Sequence, residues 1–136
     1  MPSATFEDLC ARLREILADL EQLLQQLSVP PTRGEAAAVE RWLQLAIQIC
    51  VDLGDRILAA KGEEEPPRQR DVFAVLGRLG VLDPGQVRGM ERLVNVRNTL
   101  VHDYLRYTAE ATVAEARQSL PTLLSAAQSL IGASSD

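Results

Sequence analysis

Apolar side chains recur every three or four positions along nearly the whole of this chain, and no stretch shows the two-residue alternation of a strand. That spacing restricts the chain to helices. Phe6, Leu9, Cys10, Leu13, Ile16, Leu17, Leu20, Leu23, Leu24 and Leu27 form one face of a first helix. Thr5 or Ser3 stands where a cap is needed, and Pro30-Pro31 ends the helix. A second helix is predicted over 34–61, with Val39, Trp42, Leu43, Ala46, Ile47, Cys50, Leu53, Ile57 and Leu58 inward. Its wide apolar arc suits the centre of a bundle or a dimer interface.

The stretch 62–70, with three successive glutamates and Pro66-Pro67, reads as a loop. Asp71 is placed to cap a short helix carrying Val72, Val75, Leu76 and Leu79, closed by Gly80. Asp83-Pro84 gives a cap followed by proline at the first helical position. The helix that starts there carries Val87, Met90, Leu93, Val94, Leu100 and Val101. A last helix covers 109–131, and Pro121 within it should kink or split it. The expected fold is all-α, an antiparallel bundle of four or five helices in a single domain over 1–136.

Composition narrows the chemistry. Aromatics are 4% of the chain, so Leu, Ile, Val and Ala must fill the core. A net charge of −5 argues against a general nucleic-acid binder. The charge is uneven, however: between residues 66 and 107 seven arginines face four acids, a local balance of +3 that leaves −8 elsewhere. Such a segment can bind a phosphate-bearing ligand, although a solvated helix face would have the same composition. Cys10 and Cys50 fall at apolar helical positions, without the close spacing of a metal site, so buried thiols are expected and no metal. No leader or membrane span is expected, which suggests a cytoplasmic protein.

The segment Arg97-Asn98-Thr99-Leu100-Val101-His102-Asp103-Tyr104 holds the only histidine in the chain. Met90, Arg97 and Tyr104 share a seven-residue register, so Arg97 stands where an apolar residue is expected. Burial of an unpartnered guanidinium is costly, and Arg97 must face a carboxylate, a cleft or a subunit boundary. The structural explanation is an ion pair to Asp52 or Asp55 on the second helix. His102 lies five positions on, about 140° around a regular helix. For the two to act together, either the helix unwinds near 101–103 or the residues meet across two chains. Tyr104 returns to the face of Arg97.

Arg-Asn, three residues, His, one residue, Tyr resembles the signature of HEPN-domain ribonucleases. Val-Arg-Asn-Thr-Leu-Val-His-Asp-Tyr resembles the HepT toxins in particular, which work with a minimal nucleotidyltransferase antitoxin, MntA. The second-helix sequence Leu-Gln-Leu-Ala-Ile-Gln-Ile-Cys-Val-Asp-Leu-Gly (43–54) and the short helix ending Leu-Gly-Val-Leu (79–82) are similar to HepT as well. The resemblance implies metal-independent RNA cleavage at a composite site in a two-fold homodimer, within a larger hetero-oligomer where the antitoxin is bound. Arg97 and His102 would be catalytic and Asn98 would orient the histidine or bind phosphate. Tyr104 would be the tyrosine that the partner modifies with AMP.

The chemistry is consistent with that implication. Attack of a ribose 2′-hydroxyl on phosphorus needs a base on one side and an acid on the other, and one imidazole cannot readily serve as both. A two-fold axis supplies a second His102 and a second Arg97. An adenylate on Tyr104 would place bulk and negative charge where a substrate phosphate sits. A different reading is a non-catalytic subunit that uses the Arg97 cleft to hold nucleotide or present substrate to a transferase. A third is a structural bundle in which Arg97, His102 and Tyr104 only pack.

Overall fold

The computed structural model describes residues 4–102 and 108–133, and of Val101 and His102 it describes the backbone alone. The first helix, α1 (Phe6–Gln25), begins where Thr5 leaves the extended region. The Thr5 hydroxyl accepts from the Asp8 N–H at 3.0 Å, and the Asp8 carboxylate accepts from the Thr5 N–H at 2.9 Å. Two donors at the helix start are thereby satisfied reciprocally. Helix α2 (Arg33–Ala60) repeats the device with Thr32 and Glu35. Glu35 also accepts from the backbone and hydroxyl of Ser28, which fixes the connection from α1.

The core lies on both sides of α2, which packs against α1, α3, α4 and α5. Leu13, Ile16 and Leu20 of α1 and Leu43, Ala46, Ile47, Cys50 and Leu53 of α2 are fully buried. The close contact of α1 with α2 across the short connection 26–32 requires the two to run antiparallel. Trp42, expected inward, packs against the core and is half-buried there. Leu27, expected on the face of α1, lies beyond that helix and packs on the core from the connection.

Helix α3 (Asp71–Arg78) approaches α2 at Gly54, where an added Cβ would come within 2.5 Å of Val72 Cγ1. Asp71 does not cap α3, contrary to expectation. It is the first helical residue, Arg70 occupies the cap position, and no side chain caps the helix. The Asp71 carboxylate instead accepts two hydrogen bonds from Arg68, at 2.9 and 3.1 Å. A charged bidentate partner is stronger than a neutral N–H, so the ion pair wins. The other end of α3 follows the expectation. Gly80 adopts φ +80°, Val81 N–H donates to Leu76 C=O, and Gly80 N–H donates to Gly77 C=O. This is a Schellman closure, and its left-handed residue favours glycine.

Helix α4 (Pro84–His102) starts with Asp83 and Gln86 bonded to each other's backbone at 2.8 and 2.9 Å. Helix α5 (Ala109–Gly132) starts at Thr108 and runs unbroken through Pro121, so the predicted split does not occur. Pro121 removes one backbone donor, while the apolar faces of the helix pack on α1, α2 and α4, and that burial outweighs the loss. Arg92 Nη2 on α4 donates to both carboxylate oxygens of Glu115 on α5, at 2.8 and 3.0 Å, and the same carboxylate accepts from the fully buried Ser119 hydroxyl. Cys10 and Cys50 are buried and free, and burial pushes the Cys50 thiol up to about 12. Among the described residues no strand occurs, and no helix is long and apolar enough to cross a membrane.

Candidate functional site

Arg97 occupies the apolar register of α4 and is half-buried against α2 and the 61–70 connection. Its Nη1 donates to Gln48 Oε1 of α2 at 2.6 Å. Its Nη2 donates to Gln69 Oε1 of the connection, and to Asn98 Oδ1 at 3.3 Å. Three neutral amide oxygens thus hold the guanidinium, and no carboxylate among the described residues lies within ion-pair distance. The expected ion pair to Asp52 or Asp55 is absent. Gln48 stands in between, accepting from Arg97 and donating its own amide to Asp52 Oδ1 at 3.0 Å. Burial pulls the Arg97 pKa below its ordinary value, and the nearby Asp52 carboxylate opposes that shift. The group stays cationic, and its charge is oriented without being neutralised.

That charge opens onto a groove of about 440 Å³ lined by Arg68, Gln69, Arg70, Asn95, Arg97 and Asn98, with Val94 behind. The groove gathers three arginines on a chain of net charge −5. Asn98, expected beside the arginine, accepts a hydrogen bond from it. The backbone of α4 is helical through His102, so the helix does not unwind at 101 or 102. Positions 97 and 102 therefore lie about 140° apart around one axis. Asp103 and Tyr104 fall outside the described residues. Among the described residues no three His, Cys, Asp or Glu side chains gather as metal ligands would.

The sequence reading missed Gln48 and Gln69 as the partners of Arg97. One signal was available on α2, where Gln44, Gln48 and Asp52 place a polar stripe at four-residue steps within a stretch, 42–54, that is otherwise apolar. Arg68 and Arg70 entered only as part of a charge total.

The profile of the HepT-like family, described as Ribonuclease HepT-like, matches residues 6–130. This chain belongs to the HepT-like ribonuclease family. No curated protein matches the sequence. Among solved structures, the fold is similar to a tri-AMPylated HEPN toxin of Shewanella oneidensis in complex with its MNT antitoxin, at 18% identity and a TM-score of 0.81. That match covers 95% of this chain and 97% of the other. A toxin–antitoxin structure with AMP-PNP gives a TM-score of 0.80 at 17% identity, covering 91% of this chain and 95% of that one. The cytosolic protein of unknown function YutE from Bacillus subtilis gives 0.70 at 17% identity, covering 88% and 86%. At identities this low, the likeness shows a shared fold alone. The HepT-like profile spans the polar stripe of α2, the arginine groove and the 97–104 motif in one continuous match.

Proposed function

We propose that this HepT-like chain, a single domain over 1–136, is the metal-independent endoribonuclease toxin of a toxin–antitoxin pair. Its active form is a two-fold homodimer, and its antitoxin is a minimal nucleotidyltransferase of the MntA kind. The observation that carries this reading is Arg97, a half-buried guanidinium held by amide oxygens with its charge facing a groove. A structural arginine at that depth would be matched with a carboxylate. One left unmatched is suited to an anion that arrives from outside, and a phosphodiester is such an anion.

In the proposed reaction the ribose 2′-oxygen attacks phosphorus and the bond from phosphorus to the 5′-oxygen breaks, leaving a 2′,3′-cyclic phosphate. His102 of one copy takes the 2′-hydroxyl proton, and His102 of the other gives a proton to the departing 5′-oxygen. Each role contributes on the order of 10²–10⁴-fold. Arg97 stabilises charge on the non-bridging oxygens, where loss of one such donor costs about 10²–10³-fold. Asn98 braces Arg97 through the contact at 3.3 Å. The helical backbone between 97 and 102 supports a site shared by two chains, since the two positions diverge within one. Tyr104 is the site at which the partner adds AMP, which blocks the phosphate position.

Replacing His102 with alanine tests the reading. A nuclease toxin loses RNA cleavage and growth inhibition while its circular dichroism and dimerisation are unchanged. A subunit that only holds nucleotide or presents substrate keeps its function, and that outcome refutes the proposal. The peptide carrying Tyr104, taken from protein co-expressed with its partner, is expected to carry the added mass of AMP.

A further inference from the structure

The groove beside Arg97 continues onto the connection that precedes α3, and its two other arginines differ in state. Arg68 is engaged by Asp71 through two hydrogen bonds. Arg70 makes no hydrogen bond or ion pair through its side chain among the described residues, although, after the hydrogen bonds and charge of Arg68, its charge helps to hold the Asp71 carboxyl below its ordinary value. It is nonetheless half-buried, and its backbone is fixed, because Arg70 C=O accepts from Phe73 N–H at the start of α3. Phe73 is fully buried, so this anchor is rigid. Gln69, between the two arginines, is tied to Arg97 itself. The connection therefore fixes the Arg70 backbone relative to Arg97, and the Arg70 side chain lines the same groove as Arg97 and the neutral Asn95 and Asn98.

We infer that Arg70 is a second phosphate subsite, which binds a backbone phosphate flanking the one held by Arg97. The ligand class is single-stranded RNA longer than one phosphodiester. The inference rests on the ribonuclease reading for its substrate, but the geometry of the groove stands without it. Arg70 binds substrate away from the reacting atoms, so it governs affinity for longer strands and leaves the chemical step alone. Because the surrounding chain is acidic, this subsite also restricts where on the surface a strand can lie.

The test compares Arg70→Gln with the parent on two readouts. The first is cleavage of a dinucleotide with one phosphodiester against cleavage of a ten-residue oligoribonucleotide. The substitution is expected to leave the dinucleotide rate within about 2-fold and to raise KM for the oligomer by about 10-fold, as loss of one charged contact predicts. The second readout is the salt dependence of binding to a non-cleavable 2′-O-methyl oligomer. Loss of one phosphate contact lowers the slope of log affinity against log salt by about 0.7 for a single strand.

An unchanged slope and unchanged oligomer KM would overturn the subsite, as would equal losses on both substrates. If the parent cleaves no RNA but Arg70→Gln still lowers the slope, the ribonuclease reading fails and the phosphate subsite stands. If the substitution weakens only association with the nucleotidyltransferase partner, the groove is a protein interface and the subsite is refuted.

Discussion

Replacing Gln48 with leucine tests how Arg97 is held. The Gln48 oxygen accepts from Arg97 Nη1 at 2.6 Å, and its amide donates to Asp52 at 3.0 Å. A hydrogen bond to a charged group in a half-buried setting contributes about 1.5–3 kcal/mol. Leucine keeps the volume and the helix propensity and adds some apolar burial, which offsets up to about 1 kcal/mol. The net loss is then about 1–2 kcal/mol, visible as a lower urea midpoint with an unchanged slope. Arg97 would remain bonded to Gln69 and Asn98 through Nη2 alone, and it could pivot about that atom. A loss of about 1.4 kcal/mol in the transition state is tenfold in rate. The expected result is thus a kcat on RNA about 10-fold lower, with KM changed by less than about 3-fold. Gln48→Glu is the control. It keeps an acceptor for Arg97 but loses the donor to Asp52 and sets two carboxylates together, so stability returns only in part, and its carboxylate competes with phosphate for Arg97, so KM rises. A Gln48→Leu protein as stable and as active as the parent would refute the reasoning.

Three further outcomes follow from the fold. Gly54→Ala would place a Cβ 2.5 Å from Val72 Cγ1 and 3.0 Å from Leu76 Cδ1, both on buried residues. Overpacking of about 1–3 kcal/mol against a helix gain of about 0.8–1.0 gives a net loss on the order of 1 kcal/mol and a lower Tm; a higher Tm would contradict the close approach of α2 and α3. Asp55 is held above the ordinary carboxylate range, first by burial and then by Glu65 and Asp52. A raised folded pKa costs stability as pH climbs past the unfolded value near ~3.9, so Asp55→Asn should raise Tm at neutral pH, and the gain should fade below about pH 4. Cys50, with its thiol pushed up to about 12 by burial, should resist thiol reagents in the native protein at pH 8 and react at once in denaturant.

The helix starts at Thr5 and Asp83 and the stop at Gly80 were legible because each depends on side chains within a few residues. Asp71 misled for a related reason: two local partners competed, and spacing alone cannot rank the Arg68 fork above a cap. Pro121 misled because packing from three other helices, not local propensity, keeps α5 continuous. At the site, Arg97 stood out as a charge in an apolar register, and α2 was the correct place to seek its partner. The partner is Gln48, one turn before Asp52, and the second is Gln69. Those contacts join residues 49 and 28 positions apart, and only the packing of α2, α3 and α4 brings them together.

The central claim, that one active site draws on both copies of His102, can be tested by mixing. Parent and His102→Ala chains are combined in varying proportion at fixed total concentration, allowed to exchange subunits, and assayed on RNA. If both histidines serve one reaction, activity follows the square of the parent fraction and falls to about a quarter at an equal mixture. If each chain acts alone, activity falls linearly to about a half, and that line would contradict the account.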